Sequence, residues 1–275
     1  MKYTHIISSD VDGTLVHKGR PLSPENSAAI YELERRGICF AINTGRTVSE
    51  VPADLLAHPA IRYYICADGS VIWDKKENIR TEITMSKEDF APVFDLLQAY
   101  GTVDALCSGG HSYTDKATYD REIYAKKRVS ELYALFIDYY VNKIDNFATF
   151  VRELDSVEMV CSFFENDEDM AECVKKIEAM GRFKIASSEP TNIEIYHKNA
   201  GKGNSLLRLA DMLGVPRENT IAVGDSKNDM DMIKKAGLSL AMSNACDELK
   251  AAADKTICSC KEHSADYILK NYFSK

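Results

Sequence analysis

Short apolar runs recur toward both ends of the chain: "THIIS" (residues 4–8), "ICFAIN" (38–43), "IRYYICA" (61–67), "TIAVGD" (220–225) and "LSLAM" (238–242). They are of strand length and nearly continuous in apolar content, the pattern of strands covered on both faces. Stretches between them carry a helical period instead. In "SPENSAAIYELERRG" Ser23 is placed to cap a helix, Pro24 suits its first position, Ile30 and Leu33 mark an apolar face, and Gly37 ends it. Residues 203–213 repeat the design with Leu206, Leu209, Ala210 and Leu213 at helical spacing, and "DMDMIKKAG" and "CDELKAAA" supply shorter helices. Strand, helix and strand in alternation predict an α/β fold with a parallel sheet covered by helices.

The middle of the chain has another character. Between residues 85 and 190 the segments "DFAPVFDLLQAY", "ELYALFIDYY", "SVEMVCSFF", "DMAECVKKIEAMG" and "FKIASS" alternate with polar links. They predict a separate α+β domain whose sheet and helices share one face of packing, with the aromatic run "YALFIDYY" as core or an exposed strand face. The outer domain is then discontinuous, formed by residues 1–84 and 191–275, and the domain of residues 85–190 is inserted in it. An insert of this kind can close over a site at the carboxyl edge of a sheet.

Composition narrows the partners. The 275 residues carry 34 Lys and Arg against 42 Asp and Glu, a formal net charge of -8, and hold no dense basic block. Neutralising the phosphates of a nucleic acid needs such a block, so a nucleic-acid partner is not expected. A small anionic substrate is compatible, because a local cation or a metal overrides the overall charge. No uninterrupted apolar window approaches membrane-spanning length, and "MKYTHIISSD" does not read as a signal peptide; no membrane association and a cytoplasmic location are the expectations. Of the eight cysteines, Cys39, Cys66 and Cys161 sit in or beside apolar runs and read as buried free thiols. Cys258 and Cys260 have CxC spacing with His263 nearby, yet no second pair completes a zinc-type pattern, and a solvated loop is expected there. Nothing in the sequence identifies a protein partner.

Candidate chemistry collects where strands end. Ligands of open α/β sheets bind beyond the carboxyl ends of the strands, and "DVDG" (10–13), "NTGR" (43–46), "KG" (202–203) and "GDSKND" (224–229) fall at strand ends or helix starts of the outer domain. Asp10 and Asp12 repel each other in a pocket unless a hard cation compensates, and Asp225 and Asp229 add oxygens from another strand end. Magnesium is the expected ion, since it prefers carboxylate oxygen and water. Thr44, the Gly45 backbone and Lys202 at a helix start are the parts of a phosphoryl clamp. With a phosphoryl group held there, Asp10, which ends its strand most directly, is the expected nucleophile, and Asp12 the proton carrier.

The four motifs "DVDGTL", "TGR", the lysine of "GKG" and "GDSKND" resemble, in order and spacing, those of the haloacid dehalogenase superfamily, and specifically its Cof-type phosphatases. The resemblance implies a Rossmann-like three-layer core and, in the insert, a C2-type cap that determines substrate specificity. It assigns the nucleophile to Asp10 and the general acid/base to Asp12. Magnesium ligands fall on Asp10, the Asp12 backbone carbonyl and Asp225, with Asp229 supporting the metal directly or through water. Thr44, Gly45, Lys202 and Asn228 bind the phosphoryl group. The implied activity is magnesium-dependent hydrolysis of a small phosphorylated metabolite, such as a sugar phosphate, a nucleotide or a phosphorylated cofactor, through an aspartyl-phosphate.

Some positions depart from that pattern. The tripeptide after the third strand, usually "NGA" or "NGS", is "DGS" here, which makes Asp68 a specificity candidate. "MSNAC" stands for the usual "MGNA", and "CSCKEHSAD" replaces the expected "EDGV". In the insert, His111 and Tyr113 of the glycine-rich "CSGGHSYTD" are the other specificity candidates, in a segment that reads as a flexible rim or an ordinary connection. Two rival functions use the same residues: a phosphomutase that returns the phosphoryl group to a sugar, and a catalytically silent ligand-binding or regulatory module. A dinucleotide-binding oxidoreductase fits poorly, because the first strand leads into "DVDGT" and not into a glycine-rich phosphate loop.

Overall fold

A computed structural model describes residues 2–17 and 19–274 of the chain. It divides into two compact units, one of Met1–Arg46, Val51–Thr81 and Gly201–Lys275, the other of Thr47–Glu50 and Glu82–Ala200.

The first unit is built on an eight-stranded sheet with the order Lys255–Thr256, Leu238–Ala241, Thr220–Gly224, His5–Ser9, Ile38–Asn43, Tyr63–Cys66, Val71–Asp74, Ile79–Glu82. The six strands from Lys255–Thr256 to Tyr63–Cys66 run parallel, and Val71–Asp74 turns back antiparallel. The sheet is therefore mixed, parallel only in the part the apolar runs predict. Every residue of Ile38–Asn43 and of Tyr63–Cys66 is buried, which explains why those segments show no polar alternation. Helix Pro24–Arg35 starts as expected, with the Ser23 hydroxyl accepting from the Asn26 backbone and Pro24 in the first turn. It crosses from His5–Ser9 to Ile38–Asn43, while helix Met230–Lys235 crosses in the opposite direction from Thr220–Gly224 to Leu238–Ala241. Right-handed crossovers in opposite directions put the two helices on opposite faces, giving three layers. They also create a switch point between His5–Ser9 and Thr220–Gly224, where the crossovers leave in opposite directions and the carboxyl ends of two parallel neighbours leave an open crevice.

The second unit has a six-stranded sheet, Phe183–Ala186, Asn192–His197, Met159–Phe163, Val103–Ser108, His111–Asp115, Asn142–Ile144, antiparallel except for the last pair. Alternate residues serve two cores. Leu106, Val160, Ile193 and Ile195 meet Phe90, Phe94 and Leu97 of helix Lys87–Ala99 and Ile177 of helix Asp167–Ala179. Val103, Ala105, Cys161 and Phe163 point the other way, into a cluster with Tyr124, Ala134 and Ile137. Helices thus cover both faces of this sheet, not one. The run "YALFIDYY" lies in helix Glu131–Tyr140, where Ala134 and Ile137 are buried while Leu132, Leu135 and Tyr139 are exposed. Asn192–His197 pairs along its length with Met159–Phe163, so the segment after residue 191 belongs to this sheet as far as Ala200. Among the described residues no helix is long and apolar enough to cross a membrane.

Candidate active site

Two strands bring the acidic residues together. Ser9 and Val223 stand in register on adjacent parallel strands, and the Asp10 N–H donates to the Val223 carbonyl at 3.0 Å. Asp10 and Asp225 therefore leave the sheet side by side. The backbone N–H groups of Thr14, Leu15 and Val16 all turn back onto the Val11 carbonyl, so the chain after Asp10 closes into a tight loop. Gly13 has φ +92°, and a Cβ there would stand 2.5 Å from Asp225 Oδ2; only glycine admits that approach. Thr14 Oγ1 donates to Asp225 Oδ1 at 2.9 Å and fixes the carboxylate from its other side.

Asp229 closes the cluster from the short turn Lys227–Asp229. Its Oδ2 accepts the backbone N–H groups of Asp225 and Ser226 at 2.9 and 3.1 Å, which ties the turn to the strand end. One carboxylate oxygen from each of Asp10, Asp225 and Asp229 lies within 4.8 Å of the others. Lys202, the first residue of helix Lys202–Leu213, sends its ammonium into this group, 2.9 Å from Asp10 Oδ1 and 2.7 Å from Asp229 Oδ1. Asn43 holds the start of that helix by donating to the Lys202 carbonyl at 3.0 Å.

The electrostatics of this cluster are unbalanced. Burial drives the Asp10 carboxyl well above its ordinary pKa; Lys202 opposes the shift, and the charges of Asp229 and Asp225 add to it. Burial likewise works to discharge Lys202, but Asp10, Asp229 and Asp68 outweigh it and hold the ammonium well above the usual lysine range. Three carboxylates face one ammonium, all oxygen donors and mostly buried, and a hard divalent cation among them would relieve the excess charge. The donor set fits such an ion.

Asp12 points elsewhere. Its carboxylate lies in a two-pronged ion pair with Arg46, from Nε to Oδ2 at 2.7 Å and from Nη2 to Oδ1 at 3.1 Å. Only the Asp12 side chain leaves the carboxylate cluster; its backbone stays in the loop beside Gly13. The sequence alone gives Arg46 no role, and the signal it offers is that Arg46 completes the "TGR" triplet at the end of a buried strand.

The remaining polar groups converge on the same strand ends. Thr44 is buried, with its N–H on the Ile65 carbonyl and its Oγ1 accepting from the Arg46 N–H. Gly45 lies so near Asp68 that a Cβ would stand 3.2 Å from Asp68 Oδ1. Asn228 donates through Nδ2 to Asp68 Oδ1 at 3.3 Å and accepts at Oδ1 from the Ser226 hydroxyl at 2.6 Å. Asp68 itself is 1% exposed, in a left-handed turn formed by Ala67, Asp68 and Gly69.

His111 and Tyr113 belong to the second unit. His111 is exposed at the end of a hairpin whose strands, Val103–Ser108 and His111–Asp115, are joined by Gly109 and Gly110, both at positive φ; the glycine-rich segment is a tight turn between paired strands. Tyr113 pairs with Leu106 and packs on Phe150 in the helical core of the second unit, with ring centroids 4.8 Å apart. The His263 ring meets the Ser23 hydroxyl at 2.9 Å, and the Cys260 N–H donates to Asn244 Oδ1; neither joins a metal-capable group among the described residues.

Comparison with known proteins agrees with this geometry. The sequence profile of the haloacid dehalogenase-like hydrolases matches residues 7–269. Phosphatase YwpJ of Bacillus subtilis is 27% identical over 97% of this chain and 99% of its own length. The 5-amino-6-(5-phospho-D-ribitylamino)uracil phosphatase YcsE of the same bacterium is 29% identical over 90% of this chain and 88% of its own. The solved structure of a haloacid dehalogenase-like hydrolase from B. subtilis superposes with a TM-score of 0.83 at 27% identity, covering 98% of this chain and 99% of that one. With residues 7–269 matched by the family profile, the chain belongs to the haloacid dehalogenase-like hydrolase family and is closely related to its Cof-type phosphatases.

Proposed function

We propose that this hydrolase is a phosphatase that releases inorganic phosphate from a small phosphorylated metabolite by way of a phosphoryl group carried on Asp10. The observation that carries the proposal is the Lys202 ammonium, buried between Asp10 and Asp229 at the crevice between two strand ends. A lysine held there keeps its charge and meets an anion with no need for reorganisation.

In the proposed reaction a carboxylate oxygen of Asp10 attacks phosphorus, and the bond from phosphorus to the leaving oxygen breaks. Asp12 gives its proton to that oxygen, so the leaving group departs as an alcohol; it then takes a proton from water, whose oxygen attacks the aspartyl-phosphate and restores Asp10. Arg46 holds the Asp12 carboxylate in place between the two steps. Thr44, the Gly45 N–H, Lys202 and Asn228 bind the phosphoryl oxygens and orient them for in-line attack. Asp10, Asp225 and the Asp12 carbonyl, with Asp229 in support, would hold magnesium, which would neutralise phosphoryl charge.

For the substrate, sugar phosphates, nucleotides and phosphorylated cofactors are the proposed classes. The name of the relative YcsE puts 5-amino-6-(5-phospho-D-ribitylamino)uracil among the first compounds to try. Choice of leaving group is assigned to the second unit, with exposed His111 as its candidate, and to Asp68. All eight cysteines are free thiols, which suits a reducing compartment and supports a cytoplasmic location. A metabolite panel assayed for phosphate release with magnesium tests the function. Release from at least one compound, lost with a chelator and in D10N, is expected; folded protein that releases none from the whole panel refutes it.

A further inference from the structure

We propose that Asp68 is a positioning residue: it sets the Asn228 side-chain amide with its N–H edge toward the phosphoryl site. The inference rests on the phosphatase reading, since it gives a role to a residue beside the proposed clamp.

Asp68 sits where three loops meet. Its backbone N–H donates to the Thr44 carbonyl at 3.2 Å, and the preceding Ala67 N–H donates to the Arg46 carbonyl at 2.8 Å, so the turn is stitched to the loop that follows Ile38–Asn43. On its other side, the Gly69 carbonyl accepts from the Ser205 hydroxyl at 2.5 Å, in the helix that Lys202 begins. A Cβ on Gly69 would stand 2.4 Å from the Gly201 carbonyl, so this turn and the Lys202 backbone are in close contact. The Asp68 backbone, at φ 49° and ψ 37°, is in the left-handed region, which aspartate and asparagine enter more readily than other side chains do.

The side chain then acts on Asn228. An amide can present either its oxygen or its nitrogen to a neighbour, and the two orientations differ by a flip. Here the carboxylate decides the flip, since a hydroxyl can donate or accept and suits either edge of the amide. The Ser226 hydroxyl donates to Asn228 Oδ1 at 2.6 Å, and Asn228 Nδ2 donates to Asp68 Oδ1 at 3.3 Å. Asp68 acts on the Lys202 ammonium as a negative charge, and a carboxylate in that form only accepts, so it admits the nitrogen and refuses the oxygen. The second hydrogen on Nδ2 remains for an anion beside Gly45, whose missing side chain would stand 3.6 Å from that nitrogen. An asparagine at 68 also offers an oxygen to Asn228, but it can itself turn, so the aspartate makes the selection stricter.

The experiment measures binding of inorganic phosphate, with magnesium present, by calorimetry. The set is wild type, D68G, D68N, N228A, S226A and the double variant D68G/N228A. Glycine at 68 removes the acceptor while tolerating the left-handed backbone. D68G is expected to weaken phosphate binding about tenfold, the scale of one hydrogen bond to a charged partner. N228A is expected to lose as much, and the double variant no more than N228A alone, because Asp68 acts through Asn228. D68N keeps an acceptor and is expected within about threefold of wild type. S226A, which frees the other end of the same amide, is expected to weaken binding several-fold. If D68G weakens phosphate as much in the N228A background as in wild type, or if neither D68G nor S226A weakens it, the inference is overturned. Phosphate release by wild type is assayed in parallel, and its failure would count against the phosphatase reading separately.

Discussion

Arg46 holds both carboxylate oxygens of Asp12, Nε on Oδ2 at 2.7 Å and Nη2 on Oδ1 at 3.1 Å. A planar fork of this kind fixes the plane of the carboxylate as well as its place, which an ammonium on a flexible stem does not. The Arg46 side chain is 18% exposed and that of Asp12 30%, so the pair is shielded while Asp12 remains within reach of solvent.

That geometry makes R46K and R46A informative. Both are expected to lower kcat, R46A by about tenfold to a hundredfold, because a proton carrier in the wrong orientation loses part of the roughly hundredfold or greater benefit of general acid/base catalysis. R46K keeps the charge but loses the fork and is expected to fall between R46A and wild type. KM is expected to stay within about threefold, since the fork holds Asp12 and not the phosphoryl group. Steady-state kinetics on any accepted substrate decide it; a raised KM with unchanged kcat would assign Arg46 to substrate binding instead.

Lys202 is expected to serve both stability and turnover. Its ammonium is fully buried against Asp10 and Asp229. K202M removes the charge at similar length and leaves the two carboxylates without their common partner, a loss on the order of 3–5 kcal/mol for a broken buried pair. Activity is expected to fall by at least about a hundredfold, the usual cost of removing a preorganised charge. Added magnesium should raise the melting temperature of K202M more than that of wild type, because the cation takes over part of the missing compensation. Equal magnesium shifts in the two proteins would contradict this account.

At Gly13 the expected defect is one of metal affinity. The position needs φ +92°, and an added Cβ would press on Asp225 Oδ2 at 2.5 Å. The contact is with a side chain, so G13A can fold by pushing the Asp225 carboxylate away from Asp10. The magnesium concentration giving half-maximal activity should then rise about tenfold or more, with partial recovery of kcat at saturation. An unchanged magnesium dependence would separate Gly13 from the ion.

Much of the first unit was legible because its central strands are buried on both faces and its chemistry sits at their ends. Asp10 and Asp225 follow "THIISS" and "TIAVG" directly, and adjacent parallel strands bring such positions together whatever the intervening sequence. Arg46 was less visible, since an arginine at a strand end is ordinarily solvated and only the fold brings it to Asp12. In the second unit, periodicity misled where both sides of an element are apolar. Helix Glu131–Tyr140 buries Ala134 and Ile137 yet exposes Leu132, Leu135 and Tyr139, so its sequence shows no single stripe. Tyr113 is polar enough to suggest a surface role, but its place opposite Leu106 turns the ring toward Phe150. For Asn192–His197 the partner strand Met159–Phe163 lies some thirty residues earlier, and pairing at that distance leaves no local mark on the sequence.

A last expectation concerns acid stability away from the site. Arg62 and Asp74 flank a pair of antiparallel strands, with Nε on Oδ1 at 2.8 Å and Nη2 on Oδ2 at 2.6 Å. Burial pushes the Asp74 carboxyl upward, but Arg62 and the backbone N–H groups of Glu77 and Lys76 outweigh it and hold the pKa below its ordinary value. A carboxylate depressed in the folded state stabilises above its unfolded pKa, about 4, and that contribution is lost as pH falls through the lower folded value. At pH near 7, D74N is therefore expected to be less stable than wild type by about 1–2 kcal/mol, the scale of hydrogen bonds to a charged group. The gap should close as pH drops below about 4, where wild type loses the same charge. The protein has a single tryptophan, Trp73, next to Asp74 in the strand Val71–Asp74, so urea melts followed by its fluorescence report on this part of the sheet. A gap that stays constant from neutral pH down into the acid range would show that Asp74 contributes through packing and not through its charge.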